Sequence, residues 1–316
     1  MPHWIRAWQL LLLAGLTLLA SGCGKPEAQN YAPHYAETRQ DRTIYRFAVH
    51  PLYNPEMLAS VFGPLTDYLS ERIPDAKFKL EASRDYAAFE DKIRRRSVEF
   101  LLPNPYQTLL GQLNGYHVFA KMGADADFHG ILIARRDSGI HSFSQLKGKT
   151  ISYPAPTAIA ATMLSQKFLQ DHGIDVSTDV TNLYVGSQES SILATYHKQS
   201  DLASTWQPPW RNFIKAHPEE AAQLVVVWET PPLINNSLMA RDDVPAGIVK
   251  QVRAVLLDMP NTTAGRAVLQ KMGMYPFATA DDRTYEPVRQ FIRIFSREVR
   301  PLDTYERQPG QRGRQD

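Results

Sequence analysis

Apolar positions along this chain switch repeatedly between a period of two and a period of three to four. Residues 45–49 alternate as a strand does, with Tyr45, Phe47 and Val49 on one side. Asn54-Pro55-Glu56 then supplies a helix cap, a proline suited to the first helical position and an acid in the first turn. Met57, Leu58, Val61, Phe62, Leu65 and Leu69 follow at helical spacing, with a bend expected at Gly63-Pro64. Residues 78–82 read as a second strand, 85–95 as a short helix with Tyr86, Phe89 and Ile93 on one face, and 98–102 as an apolar strand. Past the middle, 131–134, 150–153, 183–185, 202–204 and 224–228 read as strands. Helices are expected at 142–146, 157–172 and 188–197, and a mainly helical stretch at 245–295. Strands alternating with helices predict an α/β protein with parallel sheets.

The two ends break this rhythm. Arg6, an apolar core over residues 10–19 and then Ala20-Ser21-Gly22-Cys23 form the layout of a secretory signal whose cleavage leaves a cysteine first, ready for lipid attachment. That core is too short for a membrane-spanning helix, which needs ~20 apolar residues. An ordinary signal with a chance cysteine is the alternative; the spacing favours the lipoprotein. Residues 1–22 are therefore expected to be a signal peptide and 23–44, polar and aperiodic, a lipidated flexible tether. Residues 301–316 are polar and expected to be a disordered tail.

Composition narrows the class. Loss of residues 1–22 removes one charged residue, Arg6, so the formal net charge falls from +2 to +1. Near-neutrality argues against nucleic acid, which leaves a basic footprint. With 43% hydrophobic residues and 22% charged, the chain can bury a sizeable core, and its length suggests two domains. Cys23 is the sole cysteine, so stability comes from packing. The nine histidines are scattered without ligand spacing, and no metal site or cofactor is expected. No GxSxG, P-loop, GxGxxG or placed carboxylate pair is found, which argues against an enzyme.

Residues 128–149 read FHGILIARRDSGIHSFSQLKGK: an apolar strand, then D-S-G-I, then a short helix ending in L-K-G-K. This stretch resembles periplasmic solute-binding proteins of the phosphate/phosphite/phosphonate ABC-transporter type. Asn54-Pro55-Glu56, Pro103 with Tyr106, Val185-Gly186-Ser187, residues 201–210 and Pro231-Pro232-Leu233-Ile234-Asn235 agree in the same order, so the resemblance covers residues 45–300. It implies the two-lobed type II fold, each lobe a sheet flanked by helices, joined by two crossing hinge strands. Lobe 1 is expected at 45–130 and 238–300, and lobe 2 at 131–237.

The site expected from this resemblance lies in the cleft. Tyr106, Thr157 and Gln188 follow strands, where open α/β sheets bind ligands. A helix beginning at Thr157 offers a hydroxyl and unpaired amides to an anion. In the family that position reads S-T-S-G; here it is Pro156-Thr157-Ala158-Ile159, so one hydroxyl remains, and Pro156 removes a donor. The plain alternative for Thr157 is a helix cap. Tyr106 either donates to the ligand or packs between lobes. His129 stands where relatives carry a small hydroxyl residue, and either adds charge to an anion site or is a hydrogen-bonded surface residue. Gln188 offers an amide donor or merely starts its helix. Trp206, and Tyr53 after the first strand, are candidate aromatic walls. Arg94-Arg95-Arg96 reads as a solvated run at a helix end, with contact to a partner or lipid headgroups the lesser alternative.

The resemblance thus implies a lipid-anchored solute-binding component of an ABC importer on the periplasmic side of a bacterial envelope, with palmitate among the acyl chains on Cys23. Its ligand would be a small oxyanion or related compound, and its partners an ABC permease and ATPase. The rival is a sensory or assembly adaptor on the same fold, serving a membrane kinase or maturation system.

Overall fold

The computed structural model describes residues 42–302. The signal segment, Cys23, the tether up to Asp41 and the tail from residue 303 lie outside the described residues. Leu302, in the segment expected to be a tail, is buried in the main core.

Two sheets organise the described chain. The first contains β1 (Thr43–Val49), β2 (Ala76–Glu81), β3 (Phe100–Leu102), β4 (Tyr116–Met122), β10 (Ser237–Arg241) and β11 (Phe277–Ala278), in the order β11-β4-β10-β3-β1-β2. The second contains β5 (Gly130–Arg135), β6 (Thr150–Tyr153), β7 (Thr181–Tyr184), β8 (Leu202–Trp206) and β9 (Leu224–Glu229), in the order β7-β6-β8-β5-β9. β1, β2 and β3 run parallel, as do β6, β7 and β8. β10 is antiparallel to both β3 and β4, and β5 to both β8 and β9. The sheets are therefore mixed, not parallel throughout. A strand that carries the chain from one sheet to the other enters its new sheet in reverse, and local periodicity does not record direction.

The chain changes sheet twice, between β4 and β5 and between β9 and β10. The two crossings are tied together: Thr230 N–H donates to the Gly130 carbonyl at 2.9 Å and Leu233 N–H to that of Phe128 at 2.9 Å. Gly130 is required there, because a Cβ would sit 2.5 Å from both the Ala160 carbonyl and Ser165 Oγ.

Local chemistry explains the helices around the first sheet. Asn54 accepts from Met57 N–H at 2.9 Å and starts α1 (Pro55–Arg72). This helix runs on through Gly63-Pro64, forfeiting one backbone bond at Pro64 rather than ending. Asp85 caps α2 (Tyr86–Arg94), and Asn104 with Gln107 forms a reciprocal capping box on α3 (Pro105–Leu113). On the second sheet, the helix expected from Thr157 begins two residues later. Ala155 to Ala158 forms a turn, a π-helical segment covers Ile159–Leu164, and α4 (Ser165–Asp171) continues it. The expected helix at 142–146 is a 3₁₀ turn, Phe143–Leu146.

Candidate functional site

The carboxyl ends of β1, β3, β6 and β8 converge on one cavity of ≈ 10 Å³, room for about one water. His50 and Asn104 reach it from just past β1 and β3, and Tyr86 from the first turn of α2. Across from them stand residues 158–161, Gln188 at the start of α5 (Gln188–Tyr196) and Trp206 at the end of β8. Phe128 and Asn236, one from each crossing, complete the wall.

Direct contacts hold the two sides together. Gln188 Nε2 donates to the Tyr86 hydroxyl at 3.3 Å, while its own Oε1 accepts from Thr205 at 2.8 Å. Asn104 Nδ2 donates to the Thr157 carbonyl at 2.9 Å. The Thr157 hydroxyl donates to Glu90 Oε1 at 2.6 Å. Phe128 meets Trp206 edge-on with ring centroids 5.1 Å apart. Asn212, on α6 (Gln207–Ala216), donates to the Tyr53 hydroxyl at 2.5 Å.

Burial raises the Tyr86 and Tyr53 hydroxyls, and it shifts His50 and Glu90 as well. Burial pushes His50 down to about 4 against the pull of its bond to the Leu102 carbonyl, so the ring is neutral near neutral pH. A carbonyl can only accept, so Nδ1 carries the proton and Nε2 a bare lone pair. Burial raises Glu90, opposed by hydrogen bonds from Thr157 and Gln107 and by Arg94. Among the residues lining the cavity there is no lysine or arginine.

Of the expected site residues, Ala158, Ile159, Gln188 and Trp206 line the cavity, and Thr157, Tyr53, Tyr106 and His129 do not. Thr157 faces Glu90 and does not cap the helix. Tyr53 is buried against Asn212. Tyr106 is buried in the first core. His129 lies beside Glu229 at 3.3 Å, with Nδ1 on the Ala126 carbonyl at 2.8 Å. Gln188 is legible as the residue after a strand that starts a helix, and Trp206 as an aromatic beside prolines after a strand. Sequence patterning alone does not single out His50, Tyr86, Asn104, Glu90 or Asn236. His50 does follow strand one immediately, which was a usable signal; Tyr86 and Glu90 look like ordinary helix positions. The arginine run is ion-paired: Arg94 with Glu90 at 3.4 Å, Arg95 with Asp91 at 3.1 Å and Arg96 with Asp242 at 2.5 Å.

Residues 47–285 match the family described as the phosphonate ABC transporter periplasmic substrate-binding protein. The phosphonates-binding periplasmic protein of Escherichia coli (strain K12) is 22% identical over 268 residues, covering 82% of this chain and 78% of that protein. A binding-protein component of an ABC phosphonate transporter from Pseudomonas aeruginosa superposes with a TM-score of 0.74 at 20% identity, covering 82% of this chain and 88% of that one. A Prochlorococcus marinus protein in complex with methylphosphonate gives a TM-score of 0.73 at 17% identity, covering 79% and 97%. These two structures share the two-lobed fold.

Proposed function

The chain belongs to the ABC-transporter phosphonate periplasmic substrate-binding family, and on that premise we propose that it is the lipid-anchored solute-binding component of an importer. Its role is binding, with the closed form passed to a permease and ATPase. The solute is a small oxyanion of the phosphate, phosphite or phosphonate kind, held where the two sheets' strand ends meet.

The observation that carries this reading is the cavity itself, placed between the paired crossings and against the first turn of the helix at Ile159. The amides of Ile159, Ala160 and Ala161 lie in that first turn, where no preceding helical carbonyl is available, and they carry the positive end of the helix dipole. The methylphosphonate complex of the Prochlorococcus protein and the name of the Escherichia coli relative support the same ligand class. At ≈ 10 Å³ the cavity is smaller than a tetrahedral head group, so loading requires the lobes to part about the crossings before they close on the ligand.

Thermal unfolding of the full-length protein tests this against phosphate, phosphite, methylphosphonate, sulfate, alkylsulfonates and zwitterionic amines. A ligand at ~100 times its Kd adds ~2.7 kcal/mol to the folded state. A rise with the phosphorus oxyanions supports the reading; a folded protein unmoved by all of them rejects it.

A further inference from the structure

The wall of the cavity that faces the helix start contains a buried acceptor with nothing to accept from. Asn236 is fully buried and lines the cavity. Its Nδ2 is turned to Met122 Sδ at 3.6 Å, and its Oδ1 accepts from no described group. Buried polar atoms are nearly always paired, so an orphan in a ligand cavity marks where a donor is expected. A second acceptor lies on the same side of the site: His50 spends its one proton on the Leu102 carbonyl at 3.0 Å and keeps a lone pair on Nε2. Donors stand around this acceptor pair: the amides at the helix start across the cavity, the second N–H of Asn104 Nδ2, and beside His50 the Tyr86 hydroxyl, which accepts from Gln188 and so has its own proton free to give.

We propose that Asn236 and His50 form an acceptor pair that selects a solute able to donate a hydrogen bond, a tetrahedral oxyanion still carrying one proton. This rests on the reading of the cavity as the solute site and adds the protonation class of the solute. The monoanion's ionised oxygens take the helix amides and Tyr86, and its hydroxyl gives its proton to Asn236 Oδ1 or His50 Nε2. A sulfonate has the same shape and the same single charge but only acceptors, so its third oxygen would be forced against two lone pairs. The lack of a lysine or arginine in the lining works in the same direction, because a full dianion would be left without a countercharge.

The test is calorimetric titration of the full-length protein with methylphosphonate and with methanesulfonate, in mildly acidic buffer where methylphosphonate keeps one proton. The two then match in shape and charge and differ in the donor. Methylphosphonate should bind at least about a hundredfold tighter, since a site built for a hydroxyl rejects the analogue lacking it. Asn236→Leu together with His50→Phe should bring the two affinities close together. Equal binding, or tighter sulfonate binding, by the unaltered protein overturns the inference while leaving solute binding intact. Silence toward both compounds overturns the solute reading and the inference with it. The wild-type comparison decides the matter even if the double variant fails to fold.

Discussion

The Thr157 hydroxyl and the Glu90 carboxylate meet across the cleft at 2.6 Å, so the one hydroxyl left in the expected anion-binding run is spent on a residue of the same chain. Thr157 belongs to the segment after β6 and Glu90 to α2, which places this bond between the two sheets' territories. The bond ties the segment after β6 to α2, where the sequence pattern suggests ligand contact. Thr157→Val leaves a buried carboxylate short of its closest donor and should lower stability by about 1–3 kcal/mol. Glu90→Gln retains an acceptor for the hydroxyl and removes a buried charge, and should stay within about 1 kcal/mol of the parent. Urea unfolding of the two variants checks this; equal losses would show that charge, rather than the hydroxyl, dominates the contact.

His50 makes stability depend on pH in a definite direction. Its folded value is lowered from 6.5 to about 4, so the unfolded chain binds the proton first as pH falls. The contribution is fully present above about pH 6.5 and is lost progressively down to about pH 4, by about 3 kcal/mol in all. Glu90, raised by burial, contributes with the opposite sign and partly masks the slope. The difference between the parent and His50→Gln, measured by denaturant unfolding at several pH values, isolates the histidine. The gap should narrow as the pH is lowered through that window. A constant gap would show that the ring is not buried neutral.

How far the sequence reveals this protein depends on whether a feature is local. The alternation of strands and helices is local, and with it the α/β class, the place of Gln188 at a strand–helix junction and Trp206 as an aromatic wall candidate. The antiparallel course of β5 and β10 is not local, because it follows from the chain crossing between sheets. Asn236 enters the site only through that crossing, and its neighbour Asn235 looks the same in the sequence while it bonds the Gly123 carbonyl at 2.9 Å. Thr157 shows the other limit. Pro156-Thr157 looks like a helix start, but the turn at Ala155 to Ala158 delays the helix to Ile159, and Thr162 Oγ1 fixes that turn by donating to the Ala155 carbonyl at 2.8 Å.

Gly130 is where the crossings and the helix start come closest. Gly130→Ala places a methyl group 2.5 Å from the Ala160 carbonyl and from Ser165 Oγ, and the first of these belongs to the cavity wall. Relief requires backbone movement at the π-helical turn. The variant should lose about 1–3 kcal/mol, as overpacked cores do. It should also weaken ligand binding, because the shifted turn carries the amides. Thermal unfolding and titration with methylphosphonate measure the two effects separately. A loss of stability with unchanged affinity would show that the turn yields away from the cavity.

Cys23 carries the proposed anchor. Cys23→Ser removes the thiol to which lipid would be attached, and the protein should move from the membrane fraction to the soluble fraction of the envelope. Two signals are needed for stable membrane anchoring, since one acyl chain binds only marginally. With near-neutral charge after cleavage, the body offers little electrostatic help, so release should be complete. Immunoblotting of fractionated cells checks it, and membrane retention of a serine variant whose mass shows residues 1–22 removed would rule out the lipid as the anchor.

Trp206 offers a reporter of the proposed closure from inside the cavity. It is buried, packs edge-on to Phe128 of the first crossing and lines the cavity beside the helix start. Opening of the lobes moves it away from His50 and Asn236 on the other side and lets water reach the indole, which shifts its emission to the red. Ligand binding recloses the site and should shift the emission back to the blue. The chain has five tryptophans, so the assignment depends on Trp206→Phe, which keeps an aromatic wall against Phe128. That variant should bind methylphosphonate within about tenfold of the parent, because the contact it alters is apolar. The ligand-induced shift should disappear with it. A shift that survives in Trp206→Phe would assign the change to Trp210 or Trp228, which pack on opposite faces of the second sheet.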